Sequence, residues 1–222
     1  MKKSFAASLF ACLFALVATV NAQEGQPLNA LTPQEKEVGF ELLFDGGPLN
    51  PEIWQSSIAG YPVKDGYFVC EKGGNLLTKK AYSDFVFRFE FKLPENGNNG
   101  VGIRAESPDK DAAYYGMELQ IIDEDYPNIQ PAQRHGSIYG VVPAKTGALK
   151  PVGEWNYEEV IAIGPFIKVI VNGQLIVDAD ITDAVPLWGD HPGLHNKSGF
   201  VGFLGHGDPV EFRNVRILSL EK

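Results

Sequence analysis

Apolar and polar residues alternate strictly in the middle of the chain. Phe85, Phe87, Phe89 and Phe91 fall on one side, and Val86, Arg88, Glu90 and Lys92 on the other. Such alternation predicts a strand over 84–93 in a sheet with one buried face. Shorter runs of the same kind recur, separated by turn residues. They predict strands over 41–44, 61–63, 67–70, 76–78, 101–105, 115–122, 159–163, 166–171, 174–177, 200–204 and 210–218. Lys64-Asp65-Gly66 and Asn172-Gly173 supply hairpin turns, and Asn-Gly between apolar strands is the strongest short-range hairpin signal. Residues 94–100 read as a loop. The one helix signal is early: Thr32-Pro33-Gln34-Glu35 has the form of a capping box, with proline at the first helical position. It predicts a short helix ending near Val38. About a dozen strands with no intervening helices predict a single all-β sandwich over 37–222. No repeat of solenoid or propeller period interrupts that reading.

The first 36 residues read differently. Lys2 and Lys3 precede an apolar run from Phe5 to Val20, and Ala22 offers a small residue for cleavage. Residues 1–22 therefore read as a secretory signal peptide, which points to export into the periplasm. The run is short for a membrane span, and no later segment is longer, so no transmembrane segment is expected in the mature chain. Cys12 lies too far from the cut for lipid attachment, which makes a lipoprotein the lesser reading. Residues 23–36 form a tether carrying the short helix.

Composition narrows the partners. Of 222 residues, 19 are Lys or Arg and 28 are Asp or Glu, for a net charge of −9. Losing Lys2 and Lys3 takes this to −11, which argues against nucleic acid as a partner. Cleavage at Ala22 leaves Cys70 as the one cysteine, so no internal disulfide can form. Its place in a strand-like run predicts a small buried hydrophobe.

Chemistry must come from polar residues on the strands. Glu118 and Gln120 lie two apart and share a sheet face, while Asp123 falls on the other face unless a bulge intervenes. Arg104, two residues after Gly102, could hold Glu118 or a substrate oxygen. A solvated Arg–Glu pair is the bland alternative. The four histidines are His135, His191, His195 and His206, and the last stands between Gly205 and Gly207. Histidine suits general-base work or metal ligation. The spacing of His191 and His195 is interrupted by Pro192 and Gly193, so a divalent metal is possible but only weakly signalled. Each histidine could equally be bonded to loop backbone. Trp54, Trp155, Trp188, Tyr114, Tyr115 and Tyr139 could stack on sugar rings or fill the core. No nucleophile elbow, phosphate-binding loop or dinucleotide fingerprint is present.

Longer segments carry a resemblance. Leu43-Phe44-Asp45-Gly46, Asn99-Gly100-Val101-Gly102-Ile103-Arg104 and Gly116 to Asp123 occur in order with Gly136-Ser137-Ile138-Tyr139 and Gly153-Glu154-Trp155-Asn156. Gly205-His206-Gly207 and Val210 to Val215 complete the series. Together they resemble the 3-keto-disaccharide hydrolase family of 3-keto-glycoside 1,2-lyases and 3-keto-2-hydroxy-glucal hydratases. The resemblance implies a concanavalin A-like jelly-roll β-sandwich and cleavage of 3-keto-glycosides by elimination and hydration. In the laminarinase-type glucanases, which share that fold, one strand bears a nucleophile and an acid as E-x-D-x-x-E. Here Glu118, Gln120 and Asp123 stand in similar places, which disfavours that mechanism.

The resemblance implies catalytic roles for His206, His135, Glu118 and Asp123, with either histidine as base. It implies substrate-binding roles for Arg104, Gln120, Tyr139 and Trp155, with Arg104 or a divalent metal polarising the keto oxygen. Three alternatives share the sandwich. They are a non-catalytic carbohydrate-binding module, a structural or adhesion domain, and a conventional glycoside hydrolase.

Overall fold

The structure, a computed structural model, describes residues 27–221; the segment read as a signal peptide, with Cys12, lies outside them. Helix α1 (Pro33–Val38) starts as its sequence predicts. The Thr32 hydroxyl accepts from the Glu35 amide at 3.0 Å, and the Glu35 carboxylate accepts from the Thr32 amide at 3.0 Å. The segment before it is anchored to the sandwich. Asn29 exchanges two hydrogen bonds with Asn214, at 2.6 and 2.8 Å, and donates to the Gly66 carbonyl at 2.7 Å.

Thirteen strands follow: β1 (Glu41–Leu42), β2 (Trp54–Ser56), β3 (Val63–Lys64), β4 (Tyr67–Val69), β5 (Gly74–Thr78), β6 (Phe85–Lys92), β7 (Asn98–Ala105), β8 (Met117–Ile122), β9 (Trp155–Ile163), β10 (Phe166–Val171), β11 (Gln174–Asp180), β12 (Phe200–Gly205) and β13 (Glu211–Ser219). They make two antiparallel sheets. The larger runs β11-β10-β9-β6-β13-β4-β3, with β1 also paired to β13, and the smaller runs β2-β5-β12-β7-β8. Ile138 bridges Leu119, which adds a further edge segment beside β8. The hairpin turns adopt left-handed backbone at Asp65-Gly66 and Asn172-Gly173, as two-residue hairpins of this hand require. Strand β2 has no clear sequence signal, and β7 begins three residues earlier than the pattern suggests. This all-β architecture is the concanavalin A-like sandwich expected of the sequence.

The inner faces meet in an aromatic core. Phe85, Phe87, Phe89 and Phe91 of β6 are fully buried, and Phe203 packs on Phe212 with ring centroids 4.1 Å apart. Cys70 is buried and free. Truncating one such phenylalanine costs about 3–5 kcal/mol.

The opposite face of β6 is not simply solvated. Arg88 is buried beneath α1, bonded to Glu159 at 2.5 Å and Glu35 at 3.1 Å, and Arg216 reaches Glu35 at 2.6 Å. Burial opposes ionisation of Glu35, but Arg216 and Arg88 together hold its carboxyl below the usual range. The larger sheet is thereby closed by a structural ion network. The outer face of the smaller sheet carries different residues.

Candidate functional site

The outer face of the smaller sheet gathers polar side chains over bare backbone. Strand alternation puts Glu118 and Gln120 of β8 on this face, beside Asn98, Gly100 and Gly102 of β7. Gly102 stands opposite Glu118 and Gly100 opposite Gln120. The Glu118 carboxylate lies directly over Gly100, where a Cβ would overlap Oε1. Glycine is therefore a steric requirement at 100. The local sequence hides this, because Asn98-Asn99-Gly100 has loop composition although it forms the start of β7.

His206 follows β12 and leans over the same strands. Its Nε2 is 3.5 Å from Glu118 Oε1, a charge-pairing distance too long for a formed hydrogen bond. Glu118, with burial opposing, still holds the imidazole above its ordinary value, and Asp208 and Asp111 act in the same direction. The His206 side chain is 48% exposed, whereas that of Glu118 is 5% exposed. A buried carboxylate thus meets a solvent-facing imidazole. Glu118 Oε1 and Gln120 Oε1 are both buried without a hydrogen-bond donor. Buried acceptors are almost always satisfied, so these two on one sheet face have capacity left for hydrogen-bond donors from outside the fold. Gln120 is oriented by donating to Asn98 Oδ1 at 2.8 Å, and the Asn98 amide donates to Asp208 at 3.1 Å.

Gly205 has a role unlike the one its neighbourhood to His206 suggests. What approaches it closely is the Tyr61 hydroxyl and the Cys70 thiol, from inside the sandwich. Gly207 supplies left-handed backbone at φ 94° in the turn after His206.

Tyr139 joins this face. Its amide donates to the Glu118 carbonyl at 2.9 Å, and the Leu119–Ile138 bridge sets Tyr139 opposite Glu118. Segment 106–116 flanks the other end, where Ala112 packs with Leu77 and Leu204. The structure therefore brings together Glu118, Gln120, Tyr139 and His206, and adds Asn98, Asp111 and Asp208, which the sequence reading missed.

Four expected site residues lie elsewhere. Arg104 has left-handed backbone at φ 50°, and its side chain turns to the Ser83 and Gly164 carbonyls at 2.7–3.0 Å and to Asp84 at 3.5 Å. Its guanidinium is consumed in tying loops together. Trp155 lies on the outer face of the larger sheet, with Arg213 3.9 Å over its ring and Lys92 at 5.1 Å. His135 is buried between the sheets, stacked on Phe91 at 5.1 Å with Nε2 3.2 Å from Glu158. Asp123 closes a turn, accepting from the Asn96 amide at 2.9 Å and the Asp125 amide at 3.2 Å. Among the described residues no group of three or more His, Cys, Asp or Glu side chains is disposed to hold a metal ion.

Comparison with known proteins gives this face a context. The family model of the 3-keto-alpha-glucoside-1,2-lyase-like domain matches residues 39–218. The chain is 26% identical over 234 aligned positions to a 3-keto-disaccharide hydrolase of Bacteroides thetaiotaomicron, covering 82% of this chain and 79% of that protein. Two crystal structures from Parabacteroides distasonis, each named a "putative glycosyl hydrolase", are also similar. One shares 26% identity at a TM-score of 0.78, covering 88% of this chain and 100% of the other. The second shares 29% identity at a TM-score of 0.68, covering 82% and 99%.

Proposed function

Because the chain belongs to the 3-keto-alpha-glucoside-1,2-lyase-like family, we propose that it cleaves 3-keto-glycosides by elimination followed by hydration, using His206 and Glu118. The observation that carries this reading is the pairing of His206 Nε2 with Glu118 Oε1 at 3.5 Å, beside orphaned acceptors on one sheet face.

The chemistry follows from the substrate. A ketone at carbon 3 acidifies the hydrogen on carbon 2. A base removes that proton, the electrons form the C1–C2 double bond, and the C1–O bond breaks. The aglycone leaves as an alcohol after taking up a proton from water. Water then adds across the double bond, with hydroxyl to C1 and hydrogen to C2, and yields the free 3-keto sugar. This sequence needs a base and a donor to the keto oxygen, but no carboxylate nucleophile.

The face supplies those roles. With Nε2 turned to Glu118, Nδ1 is the nitrogen of His206 left to accept the C2 proton, and Glu118 stabilises the imidazolium that forms. Gln120 Oε1 and Glu118 Oε1 accept sugar hydroxyls. Asn98, whose Oδ1 accepts from Gln120, donates from Nδ2 to the keto oxygen. A retaining glycosidase would need a second carboxylate about 5–5.5 Å from the first. Position 120 is glutamine, and Asp123 is committed to backbone amides. The leader over residues 1–22 would deliver this activity to the periplasm.

The test compares nitrophenyl 3-keto-glucoside with the unoxidised glucoside. Release of nitrophenol from the keto substrate alone supports the proposal. Release from the plain glucoside supports conventional hydrolysis, and binding without release from either supports a carbohydrate-binding module.

A further inference from the structure

The most exposed large apolar side chains among the described residues cluster in one loop beside this face. Val185 is 79% exposed, Leu187 59% and Trp188 54%. Trp188 is nevertheless held in place. Its ring lies on Gly140, where a Cβ would meet the indole at 2.6 Å, and its centroid is 5.3 Å from that of Tyr139. The Leu187 amide donates to the Gly140 carbonyl at 2.8 Å, so backbone fixes the loop at this point. Gly140 has φ 69°, a left-handed conformation that glycine adopts at no steric cost. Tyr139 is itself fixed, with its hydroxyl accepting from Gln133 at 3.0 Å. An exposed indole mounted on a fixed support loses little conformational freedom when a flat apolar surface stacks on it.

Its place relative to the acid–base pair matters. Across the sheet the order is β12 with His206, then β7, then β8 with Glu118, then the edge segment with Tyr139. Trp188 and His206 therefore stand on opposite sides of Glu118. Three strand spacings separate β12 from the edge segment, roughly 14 Å at about 4.8 Å each. That is longer than one pyranose ring and suits two linked rings.

We propose that Trp188, backed by Tyr139 and Gly140, is the aglycone subsite, and that its ligand is the pyranose ring of a disaccharide substrate. This rests on the functional reading above and names its substrate class. The apolar face of the departing sugar stacks on the indole, while the keto ring lies over the Glu118–His206 pair with C2 toward Nδ1 of His206.

The test replaces Trp188, whose exposure makes Trp188→Ala compatible with folding. Cleavage is measured on a 3-keto-disaccharide with a glucose aglycone and on methyl 3-keto-glucoside, which has no second ring. Trp188→Ala should raise KM for the disaccharide about tenfold relative to that for the methyl glycoside, with the two kcat values falling in parallel or not at all. Trp188→Phe should restore most of the difference. An equal change in KM for both substrates, or none, overturns the proposal. Calorimetric binding of unoxidised disaccharide to the wild type and to Trp188→Ala decides it separately. If neither keto substrate is cleaved, the functional reading falls. Loss of disaccharide binding in Trp188→Ala would still support the subsite, and unchanged binding would overturn it.

Discussion

Glu118 Oε1 lies 3.5 Å from His206 Nε2, and the carboxylate reaches that position by lying over Gly100. Three strands contribute to this one relationship: β8 carries the acid, β12 delivers the histidine, and β7 between them has no side chain in the way. Glu118→Gln keeps the shape and removes the charge that steadies the imidazolium. It should lower turnover about 100-fold or more while leaving the thermal midpoint within a few degrees. Gly100→Ala retains every polar group but pushes the carboxylate aside. A comparable loss of turnover in Gly100→Ala would tie activity to the position of Glu118, and full activity would separate the two.

The pH profile should carry the same signature. Glu118 raises the affinity of His206 for its proton above the ordinary value of 6.5. A histidine acting as base works only when neutral, so kcat/KM should rise with pH and level off above an inflection higher than 6.5. In Glu118→Gln the inflection should move to lower pH, because the charge that favoured the imidazolium is gone. NMR titration of the His206 ring in both proteins measures the shift directly. An unchanged inflection would show that Glu118 does not tune this group.

Stability in acid should depend on a different glutamate. Arg216 and Arg88 hold Glu35 ionised below the usual range, despite its burial. A depressed carboxyl stabilises the fold above its unfolded value and loses that contribution as pH falls through its folded one. Glu35→Ala removes a buried pair partner and a capping group, and should cost about 3–5 kcal/mol near neutral pH. The gap to the wild type should narrow as pH falls below about 4. Urea unfolding of both proteins at pH 7 and pH 3 provides the check.

Trp155 separates catalytic from structural aromatics. It stands on the outer face of the larger sheet under Arg213, remote from Glu118 in the topology. Trp155→Ala should lower stability by about 1 kcal/mol through lost cation–π contact. It should leave kcat/KM on a 3-keto-glycoside within twofold of the wild type, whereas His206→Ala abolishes most turnover. A larger kinetic effect of Trp155→Ala would place carbohydrate on the wrong face for this account.

These contrasts show which features a local pattern encodes. The alternation of Phe85 to Phe91 made β6 readable, and Thr32 to Glu35 made α1 readable, because both signals lie within one element. Glu118, Gln120 and their shared face followed from a period of two. Arg104 failed the same parity argument because its backbone turns left-handed, and the pairing of β12 with β7 shifts register between Phe200 and Gly202. Trp155 could not be assigned to a face, since its strand pairs with β6 through residues more than sixty positions away. His135 was legible as a histidine in a loop, but its burial depends on Phe91 and Glu158 from two other strands. Asn98 was hidden by turn-like neighbours, Asp208 lies two residues beyond His206 and was passed over for the histidine itself, and Asp111 acts on His206 only through folding.

The most direct measurement follows hydrogen at carbon 2 during cleavage of a 3-keto-glycoside in deuterated water. Removal of the C2 proton and later hydration of the double bond predict one solvent deuterium at C2 of the released 3-keto sugar, seen by NMR or mass spectrometry at early times. That label should disappear with turnover in His206→Ala. Release of product with the original hydrogen retained at C2 would contradict elimination and return the Glu118 face to conventional displacement at C1.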